Sequence, residues 1–599
     1  MTILASLAKA YERIPDAPSF GYSPEKIGFV IGLNPDGTVA AVAPRGEAEA
    51  GKKSAPPMLV PQPVKKSLNI SPNFLWGNTA YVLGITARED KKPKRLADEH
   101  AAFVRYHLDA VKNTSDAGLA ALRRFLDVWT PSQFAEPQWP ADMKDQNVAF
   151  ALESDRLRNV YLHDRPAAKA LWTEINIAED ASKAVCLVTG ALAPIARLHP
   201  SIKGVWGAQS SGASIVAFNR ESFASYSHEQ GDNAPVSEAI AFKYTTALNA
   251  FLSKGSRNRI QIGDASTVFW ADSDATTAEM AESTFGAMFA GVDEATQASK
   301  VGDILKRIRN GQPLQEFVPE LAEGVRFYVL GLAPNAARLS IRFWFDNDFA
   351  LLARNYQRFV GEMEVNPPPR DENPALWKYL LETAVLGRSE NVPPNLGGEW
   401  MRAILTGTSY PLTLLSTVLM RIRADKGVSA LRVGILKSLL IRNFNMEAPV
   451  ALDAGNTNKG YVLGRLFAAY EQAQSAALGP RVNSTIKDKF YGAASAQPRK
   501  VFALLEKGSA NHLSKVATRA PGYRVVLERA IASIMEQMSP SDEPFPASLS
   551  AQEQALFGLG YYHQRNEFFK SRKSESNAPE DAAQCPQFQI DTTSSCCST

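Results

Sequence analysis

Two glycines enclose the cluster of side chains best suited to contact a ligand. Gly207 and Gly212 lie on either side of Gln209, Ser210 and Ser211, and a strand-like alternation of apolar residues follows directly. Glycine lets a backbone approach a ligand closely, and the amide and the two hydroxyls supply hydrogen-bond donors and acceptors. None of these side chains titrates near neutral pH. The cluster therefore indicates recognition and not catalysis.

Two known motifs do not fit this segment. The pattern Gly-x-Ser-x-Gly of a nucleophile elbow cannot be placed around either serine, and no Gly-Lys-Ser/Thr follows as in a Walker loop. Two interpretations stay open. The hydroxyls can satisfy the backbone of a tight turn before a strand, or the glutamine can read a base edge in a nucleic-acid groove.

A second group of amides and lysines lies earlier in the chain. Lys65 and Lys66 precede Asn69 and Asn73, and an aromatic residue, Trp76, follows. An asparagine after a proline is usually a turn residue. The alternative is a group that reads nucleic acid, in which the lysines hold phosphates and the amides contact base edges.

The dipeptide His163-Asp164 is the candidate for metal chemistry. A metal-dependent nuclease needs further histidine and carboxylate ligands. The other histidines form no spaced ligand set, and His228-Glu229 lacks the second histidine of a zinc-protease helix. We therefore expect no catalytic residue, no metal and no cofactor, with a nuclease that uses His163 and Asp164 as the alternative.

Basic residues are concentrated in the C-terminal third. Positions 401–565 contain 20 Lys and Arg against 11 Asp and Glu, a net charge of +9, while the whole chain carries +3. Solvated helix faces explain most such runs, but few acids interrupt this one, which favours a groove for a nucleic-acid strand. The candidates for binding the backbone of such a strand are Arg421, Arg423, Lys437, Arg442, Lys487, Lys489, Arg499 and Lys500.

The composition is typical of a globular protein with several domains. The 599 residues are 45% hydrophobic, which excludes a wholly disordered chain. The four cysteines form no Cys-x-x-Cys pair, so neither a disulfide framework nor a zinc site is expected. No apolar run approaches the roughly 20 residues that span a bilayer, and the first residues do not resemble a signal peptide. We expect a protein of a reducing cytoplasm, with no membrane partner.

The elements that must position these residues begin with a mixed N-terminal region. Helical spacing covers 2–14, and a strand over 26–33 is expected to form a hairpin with 38–43. Positions 44–63 are rich in Pro, Gly, Ala and Lys and predict a loop. Positions 97–127 have the apolar spacing of a helix.

Strands and helices alternate in the middle of the chain, and helices follow alone. The predicted strands of the middle region are 184–188, 214–218, 267–270, 326–330 and 337–345. After the proline-rich segment 366–370, the predicted helices are 412–423, 430–444, 459–474, 498–508 and 523–537.

The fold class that follows is α+β, with a mixed α/β N-terminal body and an all-α helical bundle as the C-terminal domain. The N-terminal region carries one candidate reading group and the central region carries the Gln-Ser-Ser loop. The predicted divisions are 1–145, 146–365, a linker and connecting segment at 366–399, the bundle at 400–568, and a disordered tail at 569–599.

Several long segments resemble one family in order along the chain. The segments are Asn73–Gly84, Trp206–Asn219, Ser225–Glu238, Gly464–Phe467, Asn483–Tyr491 and Gly560–Arg565. Together they make residues 1–568 similar to the large subunit of the type I-C (Dvulg-subtype) CRISPR surveillance complex, Cascade. Gly77 departs from the acidic residue expected there.

The resemblance implies a non-catalytic subunit that holds the 5′ handle of the CRISPR RNA. The N-terminal part would read a short, TTC-like protospacer-adjacent motif in duplex DNA and help to open the duplex. The helical part, which resembles the Cascade small subunit, would guide the displaced strand and support recruitment of a nuclease-helicase. The implied partners also include the backbone and handle-binding subunits and a separate small subunit, in a prokaryotic cytoplasm. A purely structural ribonucleoprotein scaffold is the other alternative.

Overall fold

The structure is a computed structural model that describes residues 1–15, 17–45, 55–63, 70–90, 92–135, 137–176, 183–291, 294–479 and 483–576. Contacts divide the chain into two compact units. The first consists of Met1–Ser256 with Ala333–Ser340, and the second of Arg257–Leu332 with the chain from Ile341 onward. The five predicted divisions do not coincide with these two units and stay a prediction.

The first unit is built around a four-stranded mixed sheet. Strand order is β3-β2-β6-β5, in which β2 runs parallel to β6 and antiparallel to β3. The hairpin predicted over 26–43 is therefore confirmed. All five residues of β2 are buried, because both faces of this central strand are covered. The elements of the first unit are α1 (Ile3–Tyr11), β1 (Tyr22–Lys26), β2 (Phe29–Leu33), β3 (Val39–Pro44), β4 (Pro57–Pro61), β5 (Trp76–Asn78), α2 (Thr79–Val82), α3 (Pro93–Val111), α4 (Ala117–Val128), β6 (Asn147–Leu152), α5 (Glu153–Arg156), α6 (Pro166–Asn176), β7 (Lys183–Val185), β8 (Leu192–Pro194) and α7 (Glu238–Leu252).

Two predictions for the first unit need correction. Part of the expected loop at 44–63 is the strand β4, which pairs antiparallel with β1. The single helix expected at 97–127 is two helices, because Asp116 caps the second one. The Asp116 carboxylate accepts hydrogen bonds from the amides of Gly118 and Leu119 at 2.9 and 3.0 Å, which begins a new helix at that point.

The second unit joins an antiparallel sheet to a set of helices, and the connected ends of its last two strands, within Ala333–Ser340, are assigned to the first unit. Its strand order is β12-β11-β10-β9, which confirms the strands predicted at 267–270, 326–330 and 337–345. The described elements of this unit are β9 (Arg259–Ile262), β10 (Ala265–Asp272), α8 (Ala275–Ala290), α9 (Glu294–Gln297), α10 (Lys300–Arg309), α11 (Pro319–Ala322), β11 (Arg326–Asn335), β12 (Arg338–Asp348), α12 (Phe349–Met363), α13 (Leu376–Leu381), α14 (Leu396–Thr406), α15 (Leu412–Asp425), α16 (Ala430–Phe444), α17 (Lys459–Leu478), α18 (Ile486–Ala496), α19 (Pro498–Arg519), α20 (Pro521–Met535) and α21 (Ala551–Ser576).

The C-terminal region is helical, as predicted, and the α+β fold class is confirmed. The five predicted helices are present, and α14, α18 and α21 are additional. The predicted connecting segment 366–399 contains α13, and α21 continues past 568 to Ser576, so the first residues of the predicted tail are helical. The rest of that tail lies outside the described residues. None of the described helices is long and apolar enough to cross a lipid bilayer.

The helices α17 and α21 approach each other closely at matched glycines. A Cβ atom added to Gly464 would lie 2.1 Å from the Phe557 carbonyl oxygen, and one added to Gly560 would lie 2.1 Å from that of Tyr461. Polar pairs reinforce the contact, since Arg465 Nε donates to Gln564 Oε1 at 3.0 Å. Two of the segments that carry the family resemblance therefore build a helix–helix contact.

Candidate functional site

The Gln209 loop is a tight turn whose side chains face outward. The amide of Gly212 donates to the carbonyl of Gln209 at 2.9 Å, and Gln209, Ser210 and Ser211 are all exposed. Gly212 has a φ of 90°, and a Cβ atom there would lie 2.8 Å from the Ile202 carbonyl oxygen. Glycine is required at this position for both reasons. The structure therefore contains the tight turn that the first interpretation predicted. The turn also exposes the glutamine and serines that the second interpretation, the reading of a base edge, requires.

The strand predicted at 214–218 is wrong. Ala213 forms an isolated bridge with Ile202, and Ser214 forms one with Arg338, but positions 215–218 join no ladder. The alternating apolar residues instead follow the wall of a cleft. Val216, Ala217 and Phe218 line it, which explains an apolar pattern without a sheet.

The cleft beside this loop has a volume of about 300 Å³ and lies within the first unit. Its lining residues include Gln209, Ser211, Asn219, Arg197 and Arg338. Among the described residues that line the cleft there is no Asp or Glu. The wall of the cleft therefore combines an apolar stretch with two positive charges, and its described residues include no carboxylate.

The two arginines are held by neutral partners. Arg338 Nη2 donates to Asn219 Oδ1 at 2.5 Å, and its guanidinium lies 4.4 Å from the centre of the Phe223 ring. Its Nε is enclosed and has no hydrogen-bond partner. Arg197 Nε donates to Gln230 Oε1. Across the described part of the chain, neither guanidinium forms an ion pair, so no carboxylate neutralises either charge.

A braced loop beside the cleft fixes the partner of Arg197. Asn233 Oδ1 accepts from the Ser225 amide at 2.9 Å, and its Nδ2 donates to the carbonyls of His228 and Gln230, both at 3.1 Å. Tyr226 on this loop has 96% of its surface exposed. The segment Ser225–Glu238 thus supports the cleft, and sequence reasoning gave it no role.

Sequence reasoning also missed Arg197, Asn219 and Arg338 as parts of the site. Arg338 and Asn219 are 119 residues apart, and the turn between β11 and β12 brings them together. No local pattern marks either residue. The one available signal was the position of Asn219 at the end of the segment that resembles the family.

The other candidate reading group is in a different setting. Asn73 is 6% exposed and does not line the cleft. The neighbouring Phe74 ring stacks on His107 and Trp172, with centroids 5.9 and 5.4 Å away. Lys65, Lys66 and Asn69 lie outside the described residues. The burial of Asn73 favours a structural role, and base reading by this group stays a prediction.

Three of the candidate cations in the helical region are buried. Arg442 Nε pairs with Glu362 Oε2 at 2.8 Å, and Arg421 pairs with Asp425 Oδ1 at 3.1 Å. Lys437 Nζ donates to the carbonyls of Gly361 and Glu362 at 3.2 Å, and burial lowers the pKa of this lysine. Their burial does not fit the surface role expected of them, because desolvated cations need internal partners.

The remaining candidates are nearer the surface. Arg423, Lys489, Arg499 and Lys500 are exposed, and Lys487 is partly buried. Arg423 donates to Gln554, and Arg499 pairs with Glu543. Contact of these five residues with a strand stays a prediction.

His163 is enclosed in the first unit. Its side chain is 0% exposed, its ring stacks on Tyr161, and burial lowers its pKa to about 4. Asp164 Oδ2 accepts from the Tyr161 amide at 3.1 Å. In the described ranges, no group of three or more His, Cys, Asp or Glu is arranged to hold a metal ion. The nuclease alternative therefore has no ligand set in this part of the chain.

Comparison with known proteins identifies the family of this chain. No curated protein matches the chain at a significant level. The model of a family described as "CRISPR-associated protein (Cas_Csd1)" matches residues 7–569, which is nearly the whole chain. The chain belongs to the Cas_Csd1 family of CRISPR-associated proteins.

Proposed function

We propose that this chain is the non-catalytic large subunit of a type I-C Cascade and that it reads the protospacer-adjacent motif in duplex DNA. The observation that carries the proposal is the carboxylate-free cleft with Gln209 and Ser211 exposed in its wall. Gln209, Ser210 and Ser211 would contact base edges, with Asn73 and Asn69 as further amides and Lys65 and Lys66 on phosphates. Family membership supports a role in a CRISPR complex.

The division of labour in such complexes explains why a small polar site is enough. Guide RNA pairing carries most of the sequence information, while protein reads only a short flanking motif and tips a nearly balanced strand exchange. A glutamine amide and hydroxyls are suited to base edges because they donate and accept hydrogen bonds. Such a site needs no group that titrates near neutral pH.

The helical region would guide the displaced strand. The exposed cations Arg423, Lys489 and Lys500, with Lys487, would contact the strand backbone whatever its sequence. Arg499 would join them by exchanging its ion pair with Glu543 for a phosphate. The further partners under this proposal are the 5′ handle of the CRISPR RNA, the backbone and handle-binding subunits, a separate small subunit and a recruited nuclease-helicase. The setting would be a prokaryotic cytoplasm.

The test is motif discrimination by the assembled complex. Gln209→Ala is compared with Gln138→Ala, an exposed glutamine of the same unit that does not line the cleft. Equilibrium binding is measured on a duplex with the motif, a duplex with a changed motif, and a pre-opened target. We expect Gln209→Ala to lose about 1–3 kcal/mol on the first target alone. Equal loss on the duplex and on the pre-opened target would contradict motif reading.

A second measurement separates motif reading from a purely structural scaffold. A photocrosslinking residue introduced at Ser210 in the assembled complex should attach to DNA next to the motif. Attachment to guide RNA or protein alone, with no DNA adduct, would support the scaffold. The isolated chain incubated with divalent metal and DNA tests the nuclease alternative, which requires cleavage that His163→Ala abolishes.

A further inference from the structure

We propose that Arg197 and Arg338 bind one backbone phosphate of the target DNA in the cleft beside Gln209. That this phosphate belongs to the target DNA rests on the proposed function. The presence of a phosphate site rests on the cleft itself. The two claims have separate tests.

The charges of the cleft point to an anion. Arg165, in the same unit, pairs with the carboxylates of Asp116 and Asp155, as an enclosed guanidinium normally does. Arg338 instead contacts an amide oxygen and an aromatic ring, and its enclosed Nε has no partner. Two arginines that line one cleft without a carboxylate partner favour binding of an external anion, because that anion supplies the missing negative charge.

The two guanidiniums are held in place before any ligand arrives. Asn219 and the Phe223 ring fix Arg338, whereas Gln230 fixes Arg197. Asn233 holds Gln230 in turn through the carbonyl of that residue. Preorganised donors lose little conformational entropy on binding, which suits them to a single phosphate at a defined position.

The position of the site selects a phosphodiester over a free small molecule. A volume of about 300 Å³ is at the lower end for a small-ligand pocket. The same cleft is lined by Gln209 and Ser211, the side chains proposed to meet base edges. A phosphate held here would fix the register of the duplex against those side chains, as backbone contacts do in protein–DNA interfaces.

The experiment measures the salt dependence of DNA binding by the assembled complex. Arg197→Gln/Arg338→Gln is compared with Arg105→Gln, an exposed arginine of α3 that does not line the cleft. Loss of one phosphate contact should reduce the slope of log affinity against log salt concentration by about 0.9. We expect weaker binding by the same factor on motif-bearing and motif-changed duplexes, since a phosphate carries no sequence information.

A scan of the DNA backbone identifies the phosphate. Single methylphosphonates, which remove one charge, are placed around the motif. At one position, a methylphosphonate should reduce the salt-dependence slope of the unmodified complex by the same amount as the double substitution does. At that position, the methylphosphonate should not reduce the slope of the double variant any further. This scan uses unmodified protein, so it stands even if Arg338→Gln fails to fold, and Arg197→Gln alone then replaces the double variant.

Two outcomes overturn the proposal. In the first, the double variant has the same salt-dependence slope as Arg105→Gln, and no methylphosphonate position reduces the slope of the unmodified complex. The other is unchanged DNA binding with weakened assembly on guide RNA, which assigns the phosphate to the RNA. Failure of motif reading is separate, because it leaves Gln209→Ala without effect while the slope change of the double variant persists.

Discussion

The two units place their arginines in opposite electrostatic settings. Arg442 in the second unit is buried against Glu362, with its guanidinium 4.3 Å from the Tyr410 ring. Arg338 in the first unit also lies over an aromatic ring, but its hydrogen-bond partner is an uncharged amide. One cation is neutralised inside the protein and the other is not. A count of basic residues therefore does not distinguish cations that are neutralised inside the protein from cations that have no carboxylate partner.

The segments that carry the family resemblance differ in the same way. In the second unit, Gly464 and Gly560 bring two helices into contact. In the first unit, Trp206–Asn219 and Ser225–Glu238 form and brace a cleft that is open to ligand. The same degree of resemblance therefore marks packing in one unit and a candidate binding site in the other.

The largest expected effect is the loss of the buried carboxylate. Glu362 accepts hydrogen bonds from Arg358 Nε at 2.8 Å and from the Tyr410 hydroxyl at 3.1 Å, and it forms an ion pair with Arg442 at 2.8 Å. Glu362→Gln should lower the free energy of unfolding by about 3–5 kcal/mol, because it leaves Arg442 buried without its counter-charge. Urea denaturation checks this, with the exposed Glu390→Gln as the control, for which we expect less than about 0.5 kcal/mol. Equal losses of unfolding free energy for the two substitutions would contradict the view that Glu362 neutralises a buried cation.

Acidification should lower the stability of the first unit more than that of the second. Burial lowers the pKa to about 4 for His107, His163 and His199 in the first unit and for His563 in the second. Their usual pKa is near 6.5, so between these values the unfolded chain binds more protons and stability falls as pH falls. Each of these histidines should lower the free energy of unfolding by about 1 kcal/mol when the pH falls from 7.5 to 5.5.

Hydrogen exchange followed by mass spectrometry measures this difference, because it reports on peptides of each unit separately. Core peptides of β2 and α3 should lose more protection than those of α17 and α21. Equal loss of protection in the two units would contradict the expected contrast.

A smaller effect is expected from the glycine contact of α17. Gly464→Ala places a Cβ atom against the Phe557 carbonyl and should destabilise the protein by about 1–3 kcal/mol. The control is Gly508→Ala in α19, where no atom lies within 4 Å, and alanine should there stabilise the protein by about 0.4–1 kcal/mol. Thermal denaturation of both variants gives the sign of each change. A stabilising Gly464→Ala would show that the contact is not close.

The smallest effect on stability should come from the cleft. Arg197 is exposed and its side chain has one neutral partner. Arg197→Gln should change the free energy of unfolding by less than about 0.5 kcal/mol, while DNA affinity falls measurably at low salt. A large loss of stability would place Arg197 with the buried cations of the second unit and remove the contrast.

Sequence reasoning predicted more of the elements than of the site. The hairpin at 26–43 and the C-terminal helices follow from apolar periodicity, and the structure has them. The strand at 214–218 failed because an alternating pattern also suits residues that line a cleft. The burial of Arg421, Lys437 and Arg442 was not foreseen, because spacing along a helix does not say which residues lie inside the protein, and their contact with a strand stays a prediction.

The sequence by itself determined the α+β class, the family and the turn that exposes Gln209, Ser210 and Ser211. These three features depend on local residue patterns or on the order of motifs along the chain, and both can be read from the sequence without the tertiary structure. Tertiary structure alone decided that Arg338 joins Asn219 and that Arg442 joins Glu362. The physical reason is that burial and charge compensation arise from contacts between residues far apart in the chain, and no local pattern records them.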